Sequence, residues 1–302
     1  MFKPRPFPLI LLACALLSNA SAQTNPQRIR VAVLDFGETQ TGKRAAAKLS
    51  LSLLSSDQLL LADREESGAA ARGAGYNGSL NMTLQEARDL GGAIGSDLYV
   101  TGDAQTLRRS SSTRPVYYEA YASVFVVSAR TGRLAMWDRP SFEAATPEEA
   151  EQALLRELEG RAKIYASAIE RARESERAER AQVLERVGAP VPVIEDVPED
   201  EAAAEREGLR LPQPYRRLRP PYPETAERAD AEATVDVQVE IDAEGEVSRV
   251  EVVRWAGFGL DEATISTVRQ LHFRPARRDG RAVPMRVLLR YNFRRPPKEG
   301  KR

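Results

Sequence analysis

The sequence predicts an α/β N-terminal domain with a mixed sheet, a long helix with a Pro-rich linker, and a small α+β C-terminal domain. Three observations carry this. Between Arg28 and Phe142 strand-like apolar runs alternate with helical patterns and close on two long adjacent strands, the order of a mixed sheet with helices packed against it. From Thr146 a helical pattern runs on to a glycine–proline stop near Val187. After a proline-rich stretch, a period-two run, a second strand-like run and a longer period-two run flank a single helical segment, which gives a three-stranded antiparallel sheet with two helices once a short helix at 220–228 is added.

In the first domain, assigned to 23–145, the strand candidates are 29–36, 58–62, 98–105, 116–128 and 134–142, and the helix candidates are 41–56 and 83–92. Thr83 followed by Glu86 three residues on is a capping-box start, and Gly92 and Gly95 supply stops. Residues 68–79 hold four glycines and are expected to form a mobile loop.

Between the first strand and the first helix stands GETQTGKR, Gly37 to Arg44. A phosphate-binding loop has the form G-x-x-x-x-G-K-[ST] in this strand-to-helix context. The glycines and Lys43 are in register, but Arg44 replaces the hydroxyl that ligates Mg²⁺, and the remaining candidate metal ligand is the distant Asp103. A strand-to-helix turn that uses glycine for its backbone freedom explains the same residues.

The chain opens MFKPRPFPLILLACALLSNASAQ. Lys3 and Arg5 form a basic start, an apolar run follows to Leu17, and Ala20-Ser21-Ala22 is a small-x-small site, the layout of a signal peptide over 1–22. LLAC, ending at Cys14, gives a second reading as a lipoprotein box, and an uncleaved anchor is a third. Export leaves a periplasmic chain with little ATP or GTP, which argues against a nucleotide-using enzyme.

Cys14 is the single cysteine and His272 the single histidine, so a Cys/His metal cluster and a multi-His zinc site are excluded. No catalytic residue, metal or cofactor is expected. With 44 basic and 44 acidic residues the chain has no global field for nucleic acid.

Residues 146–188 are assigned to one helix. Leu154, Leu158, Tyr165 and Ile169 mark a docking face, whereas ERARESERAERAQ from Glu170 to Gln182 is charged on every side and is expected to bridge domains through solvent. The acidic, Pro-rich linker at 189–208 extends the bridge. Helix and linker together can separate the two domains by on the order of 100 Å, at about 1.5 Å per helical and 3.1 Å per extended residue.

The C-terminal domain, 209–296 with a basic tail at 297–302, is the clearest. Val235, Val237, Val239 and Ile241 alternate with Asp236, Gln238 and Glu240. Val247 to Trp255 returns after the turn at Gly245, and Leu260, Val268 and Leu271 mark one face of a helix. Val283, Met285, Val287, Leu289, Tyr291 and Phe293 then alternate, leaving Arg286, Leu288, Arg290 and Asn292 on the outer face. At a sheet edge such a strand offers unpaired N–H and C=O groups to an incoming strand. Reversing the charge of Arg286 and Arg290 is expected to leave the fold intact.

Two resemblances follow from these residues. RVAVLDFGE, LLLADR, TLQEARDLGGAIGSDLYVTGDA and ARTGRLAMW over 28–142 resemble the periplasmic α/β domain of the curli-secretion CsgG family and its LpoB-like relatives, which implies structural turns at GETQTGKR. Tyr222-Pro223, Gly245, Gly259-Leu260-Asp261, the F-x-P-A run at Phe273 to Ala276, Gly280 and the closing strand resemble the C-terminal domain of the TonB family. That resemblance implies binding of outer-membrane TonB-dependent receptors or other envelope proteins by strand addition, with Tyr222, Pro223, Arg286, Leu288, Arg290 and Asn292 as partner-binding residues. It implies an inner-membrane motor only where the N-terminus is retained. A periplasmic scaffold without energy transduction is the alternative.

Overall fold

The computed structural model describes residues 28–110, 116–185, 194–198, 201–206 and 208–295. The expected signal peptide at 1–22, the first residues of the expected linker and the expected basic tail lie outside them. Among the described residues no helix is long and apolar enough to cross a membrane.

The N-terminal part runs β1 (Ile29–Val33), α1 (Gln40–Leu53), β2 (Leu59–Leu61), α2 (Arg64–Gly73), α3 (Leu84–Ile94), β3 (Leu98–Arg109), β4 (Tyr117–Ser128), β5 (Leu134–Asp138), β6 (Ser141–Ala144) and α4 (Pro147–Glu185). The sheet order is β2-β1-β3-β4-β5, with β6 also paired to β4. β1 is parallel to β2 and β3, and the other pairs are antiparallel, so the sheet is mixed. The single strand expected at 134–142 is two, because Pro140 between them has no N–H for a ladder.

The first half of the expected loop at 68–79, up to Gly73, belongs to α2, and the second half is loop as expected. Asp63 caps α2, its side chain accepting from the N–H of Glu66 at 2.9 Å. The alanines 69–71 favour helix strongly enough to carry Gly68 inside it, and Ala71 is buried against the sheet. α3 starts on the Thr83–Glu86 capping box and ends at Gly95 in the left-handed conformation.

The sheet has two covered faces. Val31, Val33, Leu98 and Val100 pack with Leu49 and Leu53 of α1 and with Leu154, Leu158, Tyr165 and Ile169 of α4. Ala32, Leu34, Tyr99, Phe125 and Val127 point the other way, toward Ala87 and Leu90 of α3 and toward Trp255 from far along the chain.

α4 corrects the expected solvent bridge in part. The start of its charged half lies on the N-terminal sheet: Glu176 is buried, accepts from Ser128 Oγ and from Arg130 Nε (3.1 Å), and Arg173 meets Asp97 at 3.1 Å, whereas Arg177 to Glu185 are exposed as expected. Polar partners from the β4–β5 turn let a face whose only apolar contact is Ala172 dock, which a hydrophobic period cannot reveal.

The C-terminal part runs β7 (Glu195–Asp196), α5 (Glu201–Arg206), β8 (Leu209–Arg210), β9 (Gln213–Pro214), α6 (Glu224–Arg228), β10 (Ala233–Ile241), β11 (Val247–Arg254), α7 (Leu260–Val268), β12 (Phe273–Arg274), β13 (Ala276–Arg278), β14 (Arg281–Val283) and β15 (Met285–Phe293). Its main sheet has four strands rather than three, in the order β11-β10-β15-β7. β10, β11 and β15 are antiparallel, and the linker segment β7 joins β15 in parallel. The closing strand starts at Met285, not Val283, because Pro284 breaks it and β14 turns back on β13 instead.

The N-terminal and C-terminal parts are in contact, so the extended separation allowed by the linker is not the arrangement found. Trp255 and Phe258, after β11, enter the second face of the N-terminal sheet. Trp255 stacks on Phe125 with centroids 5.8 Å apart, and Phe258 meets both Phe125 (5.6 Å) and Trp137 (5.8 Å). The side-chain amide of Asn81 donates to the carbonyls of Thr234 (2.8 Å) and Trp255 (2.7 Å).

Candidate partner-binding edge

β15 is held on one side by nine register pairs to β10, from Ala233↔Phe293 to Ile241↔Met285. Its inward set of Val287, Leu289, Tyr291 and Phe293 joins the core formed by β10 and α7. The outward set is the sequence-predicted one, and the register gives each member a partner. Arg286 stands opposite Glu240 and donates to it at 3.1 Å, while Arg290 stands opposite Asp236 and donates to both its oxygens at 2.7 and 3.0 Å. Asn292 Oδ1 accepts from Thr234 Oγ1 at 2.8 Å. Leu288 lies between the arginines and is 58% exposed. The hydrogen bonds to Glu240 and Asp236 hold both guanidinium groups above their ordinary pKa range.

These pairs correct one expectation. Asp236 is buried, and Arg254 reaches the same carboxylate at 3.4 Å. A glutamate at 290 would face a buried carboxylate, so charge reversal there is not neutral for folding. Asp236 and Glu240 were readable from the sequence as outward-facing, but not the register that sets them against the arginines.

Tyr222 and Pro223 sit at the end of the sheet. The Tyr222 hydroxyl donates to the carbonyls of Ala231 (2.8 Å) and Ala226 (3.3 Å), and its ring lies 6.5 Å from that of Phe293. Burial raises its pKa. Pro223 occupies the N-cap of α6 against Gly259. The structure therefore brings Arg286, Leu288, Arg290 and Asn292 together on one face and sets Tyr222 and Pro223 apart, at the join of α6 with the sheet.

The second edge of β15 is partly covered. Met285 and Arg286 pair with Glu195 and Asp196, and the N–H of Val197 donates to the carbonyl of Arg286 at 3.2 Å. Among the described residues no strand pairs with the rest of this edge, from Val287 to Phe293. An extended segment placed there would meet unpaired backbone groups. No periodicity signals β7, whose two residues are too few for one.

The phosphate-loop candidate has a different geometry. Thr39 caps α1, accepting from the N–H of Gly42 at 2.9 Å and donating to the carbonyl of Ala104. Arg44 pairs with Glu151 at 2.9 Å, Lys43 is exposed, and Asp103 accepts from the Tyr121 hydroxyl at 2.9 Å. His272 lies at the surface with Nδ1 2.8 Å from Glu246.

Residues 219–294 match the family model for the Gram-negative bacterial TonB protein C-terminal domain. Similar solved structures include a hypothetical protein, CT253, from Chlamydia trachomatis at 17% identity, covering 47% of this chain and 99% of that one with a TM-score of 0.33. The TonB C-terminal domain of Pseudomonas aeruginosa is 22% identical over 30% of this chain and 90% of its own (TM-score 0.25). The LpoB C-terminal domain of Salmonella enterica is 11% identical over 40% and 86% (TM-score 0.27). No curated protein matches the chain.

Proposed function

We propose that this is a non-enzymatic cell-envelope protein whose C-terminal domain binds partner proteins by accepting an extended strand along β15. The carrying observation is the edge from Val287 to Phe293, to which no strand pairs among the described residues, in a domain that matches the TonB C-terminal family model. Backbone pairing supplies the affinity, and the face of Arg286, Leu288, Arg290 and Asn292 tunes the choice of partner. Tyr222 and Pro223 support the far end of the edge. Outer-membrane transporters are the partners that the family resemblance suggests, and the compartment is the periplasm.

A scaffold role without energy transduction is favoured by a separate observation. The domain is seated on its neighbour through Trp255, Phe258 and Asn81, rather than held at the end of a long tether.

The test is a photo-crosslinking side chain at Leu288 in the full-length chain, expressed in its own envelope, with a second at Val183 on α4 as control. Both positions are well exposed. An envelope protein crosslinked from 288 and not from 183 supports the reading. No crosslink from 288, or the same set from both, overturns it.

A further inference from the structure

The covered end of the β15 edge indicates what the edge accepts. Glu195 and Asp196 lie parallel to Met285 and Arg286 and are followed by Pro198, a residue that sheets tolerate at strand edges and ends. Both carboxylates meet arginines: Glu195 reaches Arg278 at 2.6 Å, and Asp196 reaches Arg286 at 3.4 Å. Val197 packs with Leu209, Ala276 and Met285 in a small satellite core. The match extends beyond these contacts. Residues 273–295 contain eight arginines and one acidic residue, Asp279, whereas residues 195–207 contain seven acidic residues and one arginine. The linker that carries β7 is thus opposite in charge to the segment from β12 to the end of β15, of whose arginines Arg286 lies in β15 beside it and Arg278 in β13.

Resting on the strand-acceptor reading above, we propose that the β15 edge selects an acidic extended segment running parallel to it, and that Glu195–Val197 is the chain's own occupant, displaced when a partner segment of the same chemistry enters in full register. The resident covers two of the nine residues of β15, so it masks the entry end of the ladder and leaves the rest open. As a tethered competitor it holds an effective concentration in the millimolar range, about that of other short-linker contacts. It lowers the apparent affinity for a partner by the fraction of time the edge is free. Two arginines carry the selectivity, so competition weakens with salt.

The experiment uses the full-length chain and, as probe, a synthetic peptide of residues 191–200 (VPVIEDVPED) added in trans. Amide exchange first measures protection at Val197 in the wild type. Peptide affinity is then compared between the wild type and the Glu195→Lys/Asp196→Lys chain, whose fold is checked by exchange protection in β10. The expected results are a protected Val197 amide, and an apparent Kd for the peptide at least about threefold lower in the lysine variant. A peptide with lysine in place of Glu195 and Asp196 should not bind, and a spin label on the peptide N-terminus should broaden Met285 more than Phe293. An unprotected Val197 amide with equal affinities overturns the resident role. Binding of the acidic peptide by neither chain, or broadening at Phe293, overturns the acidic parallel chemistry. Crosslinking from Leu288 reports on strand acceptance separately, since it does not depend on what occupies the edge at Met285. If those crosslinks persist while the peptide fails, this inference falls alone. If they fail too, the functional reading falls with it.

Discussion

The indole N–H of Trp255 donates to the carbonyl of Gly132 at 3.0 Å, so a side chain at the end of the C-terminal β11 is closed by a turn of the N-terminal sheet. Trp255 is fully buried by Phe125 and its neighbours, and Gly257 two residues on approaches Phe125 so closely that an added Cβ would stand 2.6 Å from its ring. Trp255→Ala should cost about 3–5 kcal/mol of stability, the range for emptying a buried aromatic site. Because the contacts cross between domains, the loss should also separate their unfolding. Urea titration followed by near-UV and far-UV circular dichroism checks this: coincident wild-type transitions should become two in the variant. A single transition at unchanged urea concentration would show that the contact does not couple the domains.

Asp261 secures the same junction. Its carboxylate accepts from the N–H groups of Gly257 (2.8 Å) and Ala256 (2.9 Å). Burial pushes its pKa up to about 6, against the pull of those two N–H groups. The folded state therefore holds a proton that the unfolded chain, with a carboxyl near its ordinary value of about 4, has released. Stability from this group is full below pH about 4 and is lost as pH rises through about 6. Asp261→Asn keeps an acceptor for the turn and removes the titration. Unfolding free energies at several pH values between 4 and 7 should fall with pH more steeply in the wild type than in the variant, and parallel profiles would contradict this.

The legible parts of this chain are those where one face is apolar. The alternation from Val235 to Ile241 and from Met285 to Phe293 fixes strand type and outward residues, because a slip by one position would turn every valine to solvent. The capping box at Thr83 is equally local. Pairing that depends on polar contacts was hidden. Glu176 sits in a segment charged on every side, and only the fold brings Ser128 and Arg130 to it. Trp255 ends a strand, with nothing in its own domain's sequence to say that another sheet receives it. At the candidate edge the outward residues were readable, while the register to Asp236 and Glu240 and the cover by β7 required the fold.

Glu176 makes that hidden docking testable. Its oxygens serve Ser128 and Arg130, with Arg173 at 3.6 Å as a further counter-charge. Glu176→Ala should destabilise the N-terminal domain by about 2 kcal/mol, the scale for charged hydrogen bonds lost in a buried site. Amide exchange should rise in the last turns of α4 while the turns around Leu154 and Leu158 stay protected. Unchanged protection throughout would mean that the charged half docks without this residue.

Adjacent residues of GETQTGKR separate its two possible meanings. In a phosphate site Gly42 and Lys43 would act together, the glycine by letting the backbone approach the anion and the lysine by binding it. Here their roles differ. An added Cβ at Gly42 would stand 2.0 Å from the carbonyl oxygen of Phe36, so the glycine admits a backbone crossing between the β1 exit and α1. The Gly42 N–H, which a phosphate would need, is already taken by Thr39 Oγ1. Lys43 is exposed and Arg44 is engaged with Glu151. Gly42→Ala should therefore cost at least about 2 kcal/mol, as overpacking against backbone does. Lys43→Ala should stay within about 0.5 kcal/mol of wild type, as surface changes do. Thermal unfolding of the two variants measures the contrast, and isothermal titration of the wild type with Mg-ATP completes it. Saturable heat from the wild type that Lys43→Ala abolishes would restore the phosphate-site reading. A flat titration, with one variant unstable and its neighbour indistinguishable from wild type, assigns the motif to the turn.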